Sequence, residues 1–152
     1  SDLEAADMDF LQLLQAEKAC RDVVLSAAQA VDQQQYEALV ALFTEDATLV
    51  RPGGALLKGR SEILAAYMSK DPNRITHHLV CNHQVTFSDS GMAESRCKVL
   101  LYASHKHRDL TPQGRLADPT HQVGVIVDTL SLTEQGWKIQ NRNAWFELLI
   151  QG

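Results

Sequence analysis

Asp32 and His78 are the residues whose types and positions best suit proton-transfer chemistry. Asp32 directly follows an apolar, alanine-rich segment, and His78 lies in a segment rich in Val, Ile and Thr. A neutral imidazole beside a carboxylate can act as a general base or acid near neutral pH. Each residue by itself is also open to a structural interpretation, because Asp suits the turns at helix ends and a lone strand histidine is commonly a satisfied structural group.

The neighbours of His78 strengthen its candidacy. His77 and His78 are adjacent in a predicted strand, so their side chains are expected on opposite faces. The sequence does not decide which of them faces a pocket. Asn82 follows four residues after His78 and shares its face if the alternation is regular.

Asp128 is a further candidate, because it interrupts the apolar run VGVIVDTLSL. Alternation places it on one face with Ile126, Leu130 and Leu132. A carboxylate on a buried face needs a partner or shifts its pKa upward. It is therefore either a polar group of a pocket or an edge residue that caps a bulge.

Sites of other kinds find weaker support. The spacing of His105, His107 and Asp109 could serve a metal, but these residues run into a polar loop and no second motif completes a ligand set. Gly53-Gly54 lacks the context of a phosphate-binding loop. We therefore predict no metal and no cofactor.

The three cysteines are an odd number without CxxC spacing, which favours small core residues in a reduced cytoplasm. Cys81 is the alternative candidate for a reactive thiol, because His77, His78 and His83 are close in sequence. The N-terminus has no signal-peptide pattern, so a cytoplasmic location is predicted.

Composition narrows the choice of partner. The 152 residues carry 14 basic and 19 acidic side chains, a formal charge of −5. Nucleic acids and anionic membrane surfaces bind proteins through clustered Lys and Arg, so neither is expected as a partner of this acidic chain. The length predicts a single domain over residues 1–152.

The elements that must position these residues fall into two groups. Periodic small and apolar residues predict a long helix over Met8–Val31 and a shorter one over Tyr36–Phe43. A short strand is predicted at Ala47–Arg51. Ser61 is predicted to cap a third helix, Glu62–Met68.

After Pro72 the sequence predicts strands separated by short polar turns, which indicates an antiparallel meander. The predicted strands are Ile75–Phe87, Met92–His105, His121–Thr133 and Trp137–Leu149. The polar stretch Lys106–Pro119 between the second and third is predicted to be a mobile loop. Helices followed by long strands predict an α+β fold, with a curved antiparallel or mixed sheet wrapped as a cone around the long helix. The concave side of such a sheet suits a small hydrophobic ligand.

The region from Leu13 to Leu149 resembles the SnoaL-like branch of the nuclear transport factor 2-like (cystatin-like) superfamily. The matching segments, in order, are AVDQQQYEALVALFTEDA, LLKGRSEI, ITHHLVCNHQV and GWKIQNR. Scytalone dehydratase is the nearest enzyme in this resemblance. Its pocket Asp and His match Asp32 and His78, which implies that the carboxylate positions the imidazole for proton transfer.

The resemblance has gaps at other positions of the dehydratase site. Val31 and Val50 stand where the dehydratase has tyrosines that bind water, Leu101 or Tyr102 stands near its second pocket histidine, and Ile126 stands near its pocket Asn. The reaction implied is therefore dehydration, isomerisation or cyclisation of a cyclic or polyketide-like substrate, without a cofactor. Candidate substrate-binding residues are Tyr36, Tyr67, Asn82, Tyr102, Asp128 and Trp145.

Two other functions are compatible with the same resemblance. One is a non-catalytic subunit or binding module, like the β subunits of ring-hydroxylating dioxygenases. The other is a ligand carrier with an inert pocket. Relatives use the outer face of the sheet for assembly, which implies a homodimer or homotrimer.

Overall fold

The first helix, α1, spans Phe10–Asp32 in a computed structural model that describes residues 9–152. It begins with a capping box, in which the Asp9 carboxylate accepts the Gln12 backbone N–H and the Gln12 side chain accepts that of Asp9. Its buried residues follow helical spacing: Ala16, Cys20, Val24, Ala27 and Ala30. The predicted helix is confirmed from Phe10 onward, while Met8 lies outside the described residues.

The second helix is shorter than predicted. α2 spans Tyr36–Ala41, and β1 (Phe43–Val50) starts directly afterwards. The apolar character of Phe43 predicts a helical residue, but Phe43 is a buried strand residue, 1% exposed. Gln34, in a left-handed conformation with φ of +57°, turns the chain between the two helices.

The start of the third helix differs from the prediction. The turn-rich segment after β1 contains a short strand, β2 (Leu56–Lys58), and α3 (Gly59–Met68) follows it without a gap. Ser61 therefore lies inside the helix, and the prediction that it is the N-cap was wrong. Gly59, with φ of +79°, makes the abrupt turn from strand to helix, and the Glu62 carboxylate accepts the Lys58 backbone N–H at 2.6 Å.

Four long strands form most of the main sheet, as the sequence predicted: β3 (Arg74–Phe87), β4 (Ala93–His105), β7 (Thr120–Thr133) and β8 (Gly136–Gln151). The strand order is β2-β1-β8-β7-β4-β3. β8 pairs in parallel with β1, so the sheet is mixed and more than a simple meander. Irregularities interrupt three strand pairings and bend the sheet. They lie at Phe43/Thr48 between β1 and β8, at Cys81/Gln84 between β3 and β4, and at Val123/Gly124 and Thr129/Leu130 between β7 and β8.

The segment Lys106–Pro119 contains structure that was not predicted. It carries a small hairpin of β5 (Leu110–Thr111) and β6 (Gly114–Arg115) instead of an irregular loop. The Asp118 carboxylate fixes its end through an ion pair with Arg108 at 3.0 Å.

The core forms where the helices pack against the concave face of the sheet. Its fully buried members come from several elements: Cys20, Ala27, Leu39, Phe43, Ala47, Leu49, Ile63, Ala93, Leu130 and Ile139. The α+β cone predicted from the sequence is confirmed. Beside the C-terminal half of α1 the apolar filling is incomplete, and a cavity remains.

Candidate active site

His78 lines this cavity, and Asp32 contacts it from behind the wall, although the two residues are 46 positions apart in sequence. Asp32 is the last residue of α1, and one of its oxygens lies 2.5 Å from the His78 Nδ1 atom. The other oxygen accepts the backbone N–H of His78 at 2.8 Å. The Thr76 hydroxyl also donates to the carboxylate, at 2.9 Å. The side chains of Asp32 and His78 are 18% and 23% exposed, so the pair is largely but not fully removed from water.

These contacts determine the charge of the carboxylate. Burial alone would raise the pKa of Asp32, but the hydrogen bonds from the His78 ring and backbone, the charge of the ring and the Thr76 hydroxyl together lower it. The carboxylate is therefore ionised at neutral pH. An ionised Asp32 requires a proton on Nδ1, which leaves the lone pair of a neutral ring on Nε2.

The cavity has a volume of about 500 Å³, within the range of small-molecule sites. Alternation along β3 turns Arg74, Thr76, His78 and Val80 toward it, whereas His77 is exposed. Most of the wall is apolar, including Val24, Val31, Leu49, Val99, Leu101, Val125, Ile126, Ala144 and Phe146. His78 therefore faces a largely hydrophobic space.

Tyr67 is the predicted substrate-binding residue whose surroundings best fit that role. It lines the cavity and is only 7% exposed, and burial raises the pKa of its phenol. Tyr36 does not line the cavity. Its ring packs against the Tyr67 ring with centroids 5.5 Å apart, so it supports the cavity wall from behind.

Trp145 also lines the cavity, but its polar atom is already engaged. The indole N–H donates to the Glu147 carboxylate at 2.9 Å. The ring lies 5.7 Å from the guanidinium of Arg96, an exposed residue between buried neighbours on β4. Trp145 can therefore contribute shape to the site, while its hydrogen bond is used elsewhere.

Two of the predicted residues lie away from the cavity. Asn82 adopts a left-handed conformation, with φ of +49°, at the pairing irregularity after Cys81, and its side chain is exposed. The irregularity breaks the alternation on which its placement beside His78 depended. Tyr102 is 37% exposed and stacks on His121, with ring centroids 4.8 Å apart.

Asp128 is fully buried but forms no part of the cavity wall. It accepts two hydrogen bonds from the Arg142 guanidinium, at 2.7 and 2.8 Å, and Arg142 lines the cavity. Burial acts to lower the pKa of Arg142, but the charge of Asp128 outweighs burial and raises it. The expected partner of Asp128 is thus a cation, and the carboxylate acts on the cavity only through that cation. Leu132, predicted on the same buried face, is 65% exposed at the strand end.

The sequence interpretation missed several lining residues. Thr76 could have been found, because it precedes His78 by two residues and shares its face. Arg51, Lys70, Arg74 and Arg142 come from separate elements, and no spacing in the sequence relates them.

The remaining candidate groups have local explanations. Burial raises the pKa of the Cys20 thiol to about 12 and that of Cys97 to about 11, so both are protonated at neutral pH. The Cys81 thiol donates to the Lys98 carbonyl at 3.6 Å. Among residues 9–152, no three His, Cys, Asp or Glu side chains are placed to hold a metal ion together. None of the helices within this range is both long and apolar enough to cross a membrane.

Comparison with known proteins places the chain in a family. The sequence profile described as the SnoaL-like domain matches residues 12–143. The chain belongs to the SnoaL-like family. No curated protein sequence matches it.

Several solved structures share the fold of this chain. A type 2 hexachlorocyclohexane dehydrochlorinase (LinA) is 18% identical with a TM-score of 0.78, covering 95% of this chain and 93% of its own. A candidate scytalone dehydratase from Novosphingobium aromaticivorans is 19% identical with a TM-score of 0.73, covering 89% and 86%. ActVI-ORFA from Streptomyces coelicolor is 16% identical with a TM-score of 0.70, covering 86% and 96%. The cone fold of this chain is thus also the fold of a dehydrochlorinase and of a candidate dehydratase.

Proposed function

We propose that this SnoaL-like protein is a cofactor-independent enzyme that uses Asp32 and His78 to transfer a proton on a cyclic or polyketide-like hydrophobic substrate. The reaction class is dehydration, isomerisation or cyclisation. The observation that carries the proposal is the hydrogen-bonded carboxylate–imidazole pair at the wall of a mostly apolar cavity.

In the proposed mechanism, Asp32 holds the Nδ1–H of His78, and Nε2 removes a proton from the carbon next to a substrate carbonyl. The imidazolium that forms is stabilised by the adjacent carboxylate. In an isomerisation it returns the proton to another carbon. In a dehydration it gives the proton to the departing hydroxyl, which leaves as water.

Other lining groups would hold the substrate in place. Tyr67 and Trp145 border the cavity directly, and the Arg142 guanidinium can polarise a carbonyl oxygen. Tyr36 and Asp128 are reassigned to positioning roles, behind Tyr67 and Arg142 respectively. The outer location of Asn82 and Tyr102 gives them no part in this proposal.

Proton abstraction can be measured without knowing the natural substrate. Cyclic ketones such as 1-tetralone and 2-tetralone are incubated with the protein in D₂O, and the loss of the proton next to the carbonyl is followed by NMR. We expect His78→Ala to slow the protein-dependent exchange by about 10²- to 10⁴-fold, the usual contribution of a general base.

His77→Ala is the matched control, because it removes an adjacent imidazole that is exposed. It is expected to exchange at the wild-type rate. Wild-type exchange by the His78→Ala protein would overturn the mechanism. Binding of the ketones by the wild-type chain without any exchange or elimination would instead indicate a binding module.

A further inference from the structure

The ionisable side chains along the cavity are strongly biased in sign. Apart from His78 and Tyr67 they are all basic: Arg51, Lys70, Arg74 and Arg142. No Asp or Glu from the described part of the chain is among the lining residues. This local excess of positive charge occurs in a protein whose formal net charge is −5.

Three of the four cations are poorly neutralised. Arg142 has its full partner in Asp128, but neither Arg51 nor Lys70 forms an ion pair with any residue between 9 and 152. The Arg74 guanidinium is 3.8 Å from the carboxylate of Asp118, which already pairs with Arg108 at 3.0 Å. Arg51, Lys70 and Arg74 are called the basic rim below.

The members of the basic rim lie close enough to affect one another. The Arg51 guanidinium and the Lys70 ammonium lie 5.4 and 4.7 Å from the centroid of the Tyr67 ring. Although Lys70 is exposed overall, partial loss of hydration beside its neighbours, followed by the charges of Arg51 and Arg74, lowers its pKa. Like charges held together in this way repel, and an anion placed among them relieves the repulsion.

We infer that the basic rim binds a carboxylate of the ligand, so that the substrate class is a cyclic carboxylic acid rather than a purely neutral hydrophobic molecule. This inference rests on the proposed function for the identity of the reacting end. The planar guanidinium forks of Arg51 and Arg74 match a carboxylate, and Lys70 adds a third cation at the same place. The apolar wall accommodates the rings.

The strand geometry also sets the length of the ligand. Arg74 and His78 lie on the same face of β3, four residues apart, which corresponds to roughly 13 Å along the strand. Both residues line the cavity, so a molecule that contacts both spans a distance on the order of 10 Å. Two fused six-membered rings with a substituent at each end have this length.

Calorimetric titration can test the inference with paired compounds that differ only in charge. The probes are benzoate, 2-naphthoate and 6-hydroxy-2-naphthoate, each compared with its neutral amide. We expect the wild-type chain to bind the longest acid about tenfold or more tightly than its amide, as for a charge-assisted site, and added salt to reduce that ratio.

Variants of the basic rim then localise the effect. Arg51→Gln, Lys70→Gln and Arg74→Gln are each expected to weaken binding of the acid by about five- to twentyfold while leaving the amide within about twofold. Lys18→Gln is the matched control, because it removes a lysine on α1 whose side chain is 77% exposed and paired with Asp22. Circular dichroism confirms that each variant is folded.

Equal binding of acid and amide, failure of every acid to bind below about 10 mM, or a ratio unchanged in all three rim variants would overturn the basic rim as an anion site. His78→Ala is titrated in the same way and is expected to keep the preference for the acid. Because binding is measured without turnover, that preference stands even if the exchange experiment disproves proton transfer. Conversely, if the chain shows no preference for the acid over its amide, the exchange experiment can still support His78 as the base.

Discussion

Replacing Asp32 by asparagine removes the charge of the proposed pair while keeping the size of the side chain. In the native chain the carboxylate accepts the His78 ring proton at 2.5 Å, the His78 backbone N–H at 2.8 Å and the Thr76 hydroxyl at 2.9 Å. An asparagine has one acceptor oxygen in place of two, and its NH₂ group cannot accept a proton. At least one of the three donors therefore loses its partner.

The expected effect on the reaction follows from the tautomer of His78. Without the ionised carboxylate, Nδ1 is no longer required to hold the proton, and the imidazolium loses its counter-charge. We expect proton exchange to slow by about 10²- to 10⁴-fold, equivalent to about 3–5 kcal/mol of transition-state stabilisation. The rate is measured by the D₂O exchange experiment, and ¹⁵N NMR of the ring reports the tautomer.

The same substitution is expected to destabilise the fold by about 1–3 kcal/mol, because a partly buried donor is left without its charged acceptor. Urea unfolding measures this difference. Asp22→Asn is the matched control on the same helix, since its carboxylate is 56% exposed and pairs with the exposed Lys18. Wild-type exchange by a folded Asp32→Asn protein would refute the argument that the carboxylate sets up the base.

The dependence of stability on acid pH gives a third test of this substitution. The pKa of Asp32 is lower in the folded chain than its ordinary value, so its contribution to stability is complete above that ordinary value and is lost as the pH falls through the folded pKa. The unfolding free energy of the wild-type chain should therefore fall more steeply below about pH 4 than that of Asp32→Asn. Parallel pH profiles would contradict this assignment.

Two further predictions concern the wall of the cavity. Asp128→Asn should destabilise the fold by about 3–5 kcal/mol in urea unfolding, because it leaves Arg142 buried without its counter-charge. The double variant Asp128→Leu with Arg142→Met should recover much of that loss. Equal losses of stability in both proteins would refute the pairing argument. Gly124→Ala should lower stability by about 1–3 kcal/mol and weaken ligand binding. The new Cβ would lie 3.1 Å from the Trp145 carbonyl oxygen and 3.4 Å from the Phe146 ring. Unchanged unfolding and titration curves would show that the strand relaxes around the added methyl group.

Much of the fold could be predicted because its signals are local. The three- and four-residue spacing in α1 fixes which face is buried, and the strand-forming runs that end at SDSG and TEQG fix the turns of the sheet. Gly91 and Gly136 adopt positive φ angles in those two turns. The observed boundaries differ from the predicted ones where two elements follow each other closely. Phe43 begins a strand because it pairs with Ile139 on β8, and α3 begins at Gly59 because β2 pairs with β1 as far as Lys58. No local pattern in the sequence records either pairing.

The sequence also supplied Asp32 and His78 as candidates, but only the folded chain brings them into contact. Their hydrogen bond depends on where the C-terminal end of α1 lies against β3, and that position is set by core packing. Strand register and packing also explain two of the predictions that the structure corrects. A pairing irregularity displaced Asn82, and a cation on the neighbouring strand engaged Asp128. Periodicity assigns a residue to a face, whereas strand register and helix position decide which residues meet across the cavity.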